Sequence, residues 1–235
     1  LRYTVDFADV YNLIGMEYLF MDNLEQAKQI FIKCLEEDIE DQSALYNVVY
    51  CYEFLDQNLE AIEYLKTYIE RNPYSEIAWH QSGRLYYGLK DYENAVRAFE
   101  FSTYIDDEFI GAYMEMGKAQ ERLKKYDEAI ESYQRTIELD DPTSYALLRI
   151  GKCYEKLGNK VEALKYFNKT VHEDPLLDKG WIAITDFYVR QKNFQKALYY
   201  VNKALAIDDQ NRLYWKRFGT INKAMGNFEE AEFGY

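Results

Sequence analysis

The sequence predicts an all-α protein built as a solenoid of antiparallel helix pairs. Two observations predict it. Apolar residues recur at helical spacing along nearly the whole chain, and the same residue types return every thirty-four residues. Composition agrees, since 48% of the residues are hydrophobic and only 3 are proline and 11 glycine. A repeat of this length is typical of proteins in which each helix pair stacks on the next.

Small side chains show the thirty-four-residue step most clearly. The register of Gly83 is mostly glycine. Because a glycine inside a helix costs about 1 kcal/mol relative to alanine, we expect close packing at Gly83, facing Ala95 of the second helix of its pair. Another register holds alanine at every step: Ala27, Ala61, Ala95, Ala129, Ala163, Ala197 and Ala231.

Large side chains keep registers of their own. Trp79, Gly83 and Tyr86 share one helix face, and Ala95 and Phe99 share a face of the next helix. These faces predict a core between paired helices. One register of large residues reads Tyr11, Leu45, Trp79, Tyr113, Leu147, Trp181 and Trp215, and the other reads Phe31, Leu65, Phe99, Tyr133, Phe167, Val201 and Tyr235.

This pattern resembles the tetratricopeptide repeat family, whose signature is W-x2-L-G-x2-Y, followed by A-x3-F and a late proline. The resemblance extends over essentially the whole chain. It implies a right-handed superhelical solenoid whose first helices line a concave groove for peptides or partner segments. The residues that carry the match include Trp79, Gly83, Tyr86, Ala95 and Phe99, and also Ile150, Gly151, Tyr154, Ala163, Phe167 and Pro175.

The registers also predict the domain organisation. We expect one solenoid over residues 1–235, in which 1–7 is the tail of a preceding repeat and 212–235 is a truncated seventh repeat. Such ends indicate a fragment of a longer chain, and uncapped solenoid ends are prone to self-association. The six full repeats are predicted at 8–41, 42–75, 76–109, 110–143, 144–177 and 178–211.

Charge and composition narrow the classes of partner. A net charge of -13 repels phosphate backbones, which argues against nucleic acid, and the sequence lacks an apolar run long enough to cross a membrane. Cys34, Cys51 and Cys153 form no CxxC pair and are odd in number, so we expect buried thiols in a reducing compartment. Localisation is otherwise unknown, with the cytoplasm favoured.

The residues that support catalysis are sparse. The two histidines, His80 and His172, lie about ninety residues apart, and the sequence has no phosphate-binding glycine loop and no nucleophile elbow. We therefore predict no enzymatic activity, no cofactor and no metal site. The function predicted from the resemblance is that of a protein-interaction scaffold. Two alternatives stay open: a substrate-recruiting region of a larger enzyme, and a self-assembly module.

The candidate partner-binding residues lie on the first helices. Toward the N-terminal end they are aromatic, which suits apolar side chains or an extended backbone. In the middle repeats they are basic, which suits an acidic peptide. The alternative is that Glu115, Glu121 and Glu155, three residues from lysines, neutralise these charges. The candidates are Tyr46, Tyr50, Phe54, His80 and Tyr87, with the basic residues Arg84, Lys118, Arg122, Lys152, Lys156 and Arg190.

Overall fold

The computed structural model describes residues 7–141 and 143–232. Within these ranges the chain forms fourteen helices and no strand. The helices are α1 (Phe7–Phe20), α2 (Leu24–Glu37), α3 (Gln42–Phe54), α4 (Asn58–Arg71), α5 (Glu76–Gly88), α6 (Tyr92–Ile105), α7 (Ile110–Arg122), α8 (Tyr126–Leu139), α9 (Ser144–Lys156), α10 (Lys160–Glu173), α11 (Asp178–Arg190), α12 (Phe194–Ile207), α13 (Arg212–Met225) and α14 (Phe228–Glu232).

The helices belong to two compact units, one ending at Leu123 and the other beginning at Lys124. In the first unit α1 packs on α2, α2 on α3, α5 on α6 and α6 on α7. In the second unit each helix from α8 to α14 packs on its successor. The predicted fold class, an all-α solenoid of antiparallel helix pairs, is confirmed. The repeat boundaries stay a prediction, and residues 1–6 of the predicted tail, Pro142 and Tyr235 lie outside the described residues.

The alanine register lies where the prediction puts it, inside the helix pairs. Six of its members are 0% exposed and Ala231 is 5% exposed. Phe31, Phe99, Tyr133 and Phe167 of the second helices are also fully buried. Alternating small and large side chains at fixed steps lets paired helices approach closely without leaving voids.

The atoms nearest to the glycine register belong to an aromatic ring of the second helix. A Cβ added at Gly83 would lie 2.5 Å from Cε1 of Phe99, so the nearest side chain is the ring four residues after the expected Ala95. Gly15 and Gly151 meet Phe31 and Phe167 in the same way. Side chains on a helix lean toward its N-terminus, which brings the Phe99 ring back over the turn that contains Ala95.

A left-handed residue joins the two helices of each pair. It has φ between 56° and 85° at all seven places, and only two of the seven residues are glycine. The helix that follows usually begins with a side-chain cap, as where Asn23, Asp91 and Asn159 accept a backbone N–H of the first turn. The left-handed residues are Asp22, Asp56, Lys90, Lys124, Gly158, Lys192 and Gly226.

The three cysteines are buried and none forms a disulfide, as the sequence predicted. All of them lie in the described part of the chain. Burial raises the pKa of the Cys51 thiol to about 11, which makes the reactive thiolate a minor species at neutral pH. These thiols act as small apolar side chains of the core.

Candidate functional site

An aromatic stripe runs along the outer face of α3. Tyr46, Tyr50 and Phe54 are spaced four residues apart, and their side chains are 39%, 43% and 64% exposed. The rings of Tyr50 and Phe54 are in contact, with centroids 4.3 Å apart. We call these three residues the aromatic stripe. It offers an unusually large apolar surface on a helix whose opposite face packs into the core.

The stripe borders a polar and a charged residue of α5. Tyr46 lies beside Gln81 and Arg84, and burial raises the pKa of its phenol. Arg84 donates to Oε1 of Gln81 at 2.8 Å, and its second terminal nitrogen lies 3.5 Å from a carboxylate oxygen of Glu53 on α3. The predicted contacts Tyr46 and Arg84 are therefore neighbours within the first unit.

A cavity of about 240 Å³ lies between α5 and α7. Arg84, Tyr87 and Gly88 line it from α5, and Glu115 and Lys118 line it from α7. We call it the α5–α7 cavity. Two predicted cationic contacts and one predicted aromatic contact thus share one concave place, together with a carboxylate. Further along α7, Arg122 lies on the Tyr92 ring, 5.3 Å from its centroid, and donates to the phenol oxygen at 3.1 Å.

His80 is not exposed in a groove, contrary to the sequence-based expectation. It is only 8% exposed and lies between the rings of Phe99 and Phe109, at centroid distances of 5.7 and 4.7 Å. Its Nε2 is 3.3 Å from an oxygen of Glu115, although neither ring nitrogen has hydrogen-bond geometry with a described residue. Through this close approach His80 contacts Glu115, a residue that lines the α5–α7 cavity.

Glu115 is held as a carboxylate by its surroundings. Burial by itself would raise its pKa, but the contact with His80 and the charges of Arg84 and Lys118 outweigh burial and lower it. A carboxylate at this place moderates the positive potential that Arg84 and Lys118 would otherwise create.

Ion pairs between successive first helices were missed by the sequence analysis. Besides Glu53 with Arg84, Glu155 of α9 lies 2.5 Å from Arg190 of α11, and Asp186 of α11 binds Arg217 of α13 through two contacts of 2.8 and 3.0 Å. The alternative of neutralisation between lysines and glutamates of one helix stays a prediction, whereas these ion pairs join neighbouring first helices. The sequence carries a signal for these ion pairs. In both Glu53–Arg84 and Asp186–Arg217, the carboxylate and the arginine lie in neighbouring repeats, thirty-one residues apart.

The remaining predicted contacts lie in the second unit. Lys152 is half-buried on α9, Lys156 is exposed at the end of that helix, and Arg190 is engaged by Glu155. Eight of the eleven predicted contacts therefore belong to the first unit and three to the second. The binding role of all eleven stays a prediction.

The described ranges 7–141 and 143–232 contain no helix of the length and apolarity that a membrane span requires. Over the same ranges, histidine, cysteine and acidic side chains nowhere converge in a group of three or more that is placed to hold a metal ion.

Comparison with known families decides the class of the chain. Models of the tetratricopeptide repeat match residues 8–38, 42–75 and 77–109, and another model of the same repeat matches residues 114–177. Together these segments exceed half of the chain. The chain belongs to the tetratricopeptide repeat family. Tetratricopeptide repeats are in general non-catalytic scaffolds, so membership supports a role in protein–protein interaction.

Solved tetratricopeptide structures share the fold at low sequence identity. A tetratricopeptide repeat protein from Parabacteroides merdae superposes with a TM-score of 0.71 at 15% identity, over 98% of this chain and 91% of that one. PilF of Pseudomonas aeruginosa gives 0.68 at 18% identity, over 91% and 97%. YrrB, a tetratricopeptide protein with an unusual peptide-binding site, gives 0.65 at 23% identity, over 78% and 95%.

Proposed function

We propose that this tetratricopeptide chain is a scaffold without chemistry of its own, which binds an extended segment of a partner protein across α3, α5 and α7. The observation that carries the proposal is the adjacency of the aromatic stripe to the residues of the α5–α7 cavity within one unit. The peptide-binding site of YrrB, which has the same fold, supports the proposal by analogy.

The two parts of this surface suit different side chains of the partner. Tyr50 and Phe54 offer ring faces to apolar or aromatic residues. Arg84 and Lys118 offer cationic groups to an aspartate or glutamate, and the pairing of Arg84 with Glu53 at 3.5 Å is long enough for a partner carboxylate to compete. We therefore propose a segment in which apolar residues precede an acidic one.

The buried thiols of the core indicate the compartment in which we propose that the protein acts. Three buried thiols and no disulfide suit a reducing compartment, of which the cytoplasm is the proposed example.

Lys152, Lys156 and Arg190 are proposed as further basic contacts on the second unit taken by itself.

A binding experiment with defined peptides tests the proposal. Fluorescently labelled ten-residue peptides that combine leucine, phenylalanine and glutamate would be titrated with the protein and followed by polarisation. Tyr50→Ala combined with Phe54→Ala removes the stripe, and Arg84→Glu combined with Lys118→Glu reverses the cavity charge. We expect each pair of changes to weaken binding by about tenfold or more, the size of one or two lost interface anchors.

Matched substitutions on second helices serve as controls. Arg97→Glu makes the same charge change on an exposed arginine of α6, and Tyr104→Ala removes a ring that is 86% exposed on that helix. Both should bind like the wild type. Equal affinity of all the variants would refute the first-helix surface as the site. Equal affinity for peptides with glutamine in place of glutamate would refute the acidic part alone.

Self-association through α1 is a second candidate function, favoured by one observation. Val10 and Ile14 are 36% and 39% exposed, whereas Ala44 and Val48, at the same registers of α3, are 0% exposed beneath α2. A second copy of the chain would cover this face. Light scattering over a concentration series, with Ile14→Glu as the disrupting variant, tests it: a mass that stays at that of the monomer over the whole series rules this candidate out.

A further inference from the structure

Three tryptophans of this chain occupy the same structural place. Each indole Nε1–H donates to the backbone carbonyl six residues earlier: Trp79 to Pro73 at 3.0 Å, Trp181 to Pro175 at 2.9 Å, and Trp215 to Asp209 at 2.7 Å. The recurrence shows that the fold provides an indole site, with a carbonyl acceptor, at the start of a first helix.

The ring of such a tryptophan lies against the second helix of its own repeat. Trp79 stacks on Phe101 of α6 at 4.5 Å between ring centroids, and Trp181 stacks on Tyr200 of α12 at 6.1 Å. The indole therefore lies beside an aromatic residue in the crevice next to that second helix.

Leucine takes the place of the aromatic residue at two positions, Leu45 and Leu147. Leu147 lines a cavity, and a smaller cavity in the repeat of Leu45 is lined by residues of α2 and α4. The cavity beside α2 and α4 measures about 130 Å³, and the one beside α8, α9 and α10 measures about 500 Å³. Six of the seven residues that line the smaller cavity have their counterpart 102 residues, or three repeats, later in the lining of the larger one, as Leu35, Glu36 and Tyr64 have in Ile137, Glu138 and Tyr166.

At the smaller cavity, a side chain of the protein itself donates to the corresponding carbonyl. The hydroxyl of Tyr68 donates to the carbonyl of Ile39, which stands six residues before Leu45 and so corresponds to the acceptor of the indole sites. At the larger cavity Thr170 replaces Tyr68, and its hydroxyl donates instead to the carbonyl of Tyr166 at 2.9 Å. The acceptor that corresponds there is the carbonyl of Asp141, six residues before Leu147.

We propose that the crevice between α8 and α10, floored by Leu147, binds a tryptophan side chain of a partner segment. The indole would lie on Leu147 and Ile137 beside the half-buried Tyr166 ring and donate its N–H to the carbonyl of Asp141, as the three internal tryptophans do. This site lies between second helices of the second unit and is separate from the proposed first-helix surface. It does not depend on that surface.

The charges at the crevice indicate which residues of the partner segment flank that tryptophan. Glu138 and Glu173 stand at the crevice with His172 and Lys169, whose ammonium lies over the Tyr166 ring, 4.9 Å from its centroid. Glu138 pairs with Arg135 at 3.2 Å, which leaves Glu173 as the carboxylate for a partner cation. The whole chain carries -13, which favours the approach of a cationic segment. The proposed partner therefore presents tryptophan flanked by lysine or arginine.

The test uses a peptide of that chemistry, acetyl-Gly-Lys-Trp-Lys-Gly-amide, and the same peptide with alanine in place of tryptophan. Amide NMR shifts of the whole chain would be followed during titration. We expect shifts at the C-terminal half of α8 and along α10 with the tryptophan peptide, and affinity for the alanine peptide weaker by about thirtyfold.

Leu147→Trp supplies the ring from inside and should abolish these shifts while helicity is retained. Leu157→Trp is the matched control, since it adds the same ring at an exposed residue ten positions, about 15 Å of helix, away. If Leu147→Trp fails to fold, Tyr166→Ala takes its place and should weaken binding likewise. The proposal is overturned if the crevice shows no shifts, if both peptides bind equally, or if the blocking variant binds like the wild type.

Discussion

Adding one methyl group at Gly83 should destabilise the first unit, although alanine favours a helix more than glycine does. In Gly83→Ala the new Cβ would lie 2.5, 2.6 and 2.8 Å from three atoms of the Phe99 ring. Phe99 is 0% exposed, and the ring of His80 lies 5.7 Å from it, so the ring has little room to move. Overlap of this depth must be relieved by shifting packed helices.

The size of the effect follows from two opposing contributions. Overpacking a tight core costs about 1–3 kcal/mol, and three ring atoms under 3.0 Å place this site in the upper part of that range. Replacing glycine by alanine inside a helix returns about 1 kcal/mol. We therefore expect the free energy of unfolding to fall by about 1–2 kcal/mol.

Urea unfolding followed by circular dichroism measures this change. Gly88→Ala is the matched control on the same helix, because nothing lies within 4 Å of a Cβ added there, and its stability should be unchanged or higher by up to about 1 kcal/mol. Combining Gly83→Ala with Phe99→Leu should recover part of the loss that the two single changes predict together. A Gly83→Ala protein more stable than the wild type would show that the ring does not press on the glycine.

Three further predictions concern packing, pH and thiol reactivity. Ala129→Leu, at a residue that is 0% exposed, should cost about 1–3 kcal/mol, seen as a lower urea midpoint, and an unchanged midpoint would refute the register. Because the pKa of Glu115 is lowered on folding, its ionised form stabilises the protein above the unfolded pKa, and this contribution is lost as pH falls. Between about pH 6 and about pH 3, wild type should thus lose more stability than Glu115→Gln, and identical losses would contradict the shift. Since burial raises the pKa of Cys51 to about 11, alkylation mapped by mass spectrometry at about pH 8 should label it only after unfolding, so rapid native labelling would count against its burial.

Features that repeat along the chain were predictable from the sequence alone. The alanine register is buried as expected, and the left-handed turn falls where Gly, Asn, Asp and Lys cluster between helices. Both features depend on contacts within one helix pair, so the sequence of a single thirty-four-residue repeat is enough to predict them. Because the repeat recurs, the same contact can be predicted at seven positions independently.

Contacts between repeats were harder to predict. His80 shares its register with Tyr46, which is exposed, yet Phe109 at the N-cap of α7 and Glu115 of α7 enclose the histidine. The pairing of Glu155 with Arg190 likewise depends on which rotamers reach across α9 and α11. Such contacts depend on pairs of registers rather than on one.

The left-handed turn residue has a consequence for how the first helices end. Lys90, Lys124 and Lys192 adopt positive φ just beyond the last turn of α5, α7 and α11, where a glycine would be unstrained. Each pays about 1–2 kcal/mol of backbone strain. A lysine, however, has fewer unfolded conformations to lose than glycine, and its charge faces the negative end of the helix dipole. The chain has 41 acidic and only 28 basic residues. Three of its lysines therefore lie at helix C-termini, where the negative end of the helix dipole stabilises a positive charge.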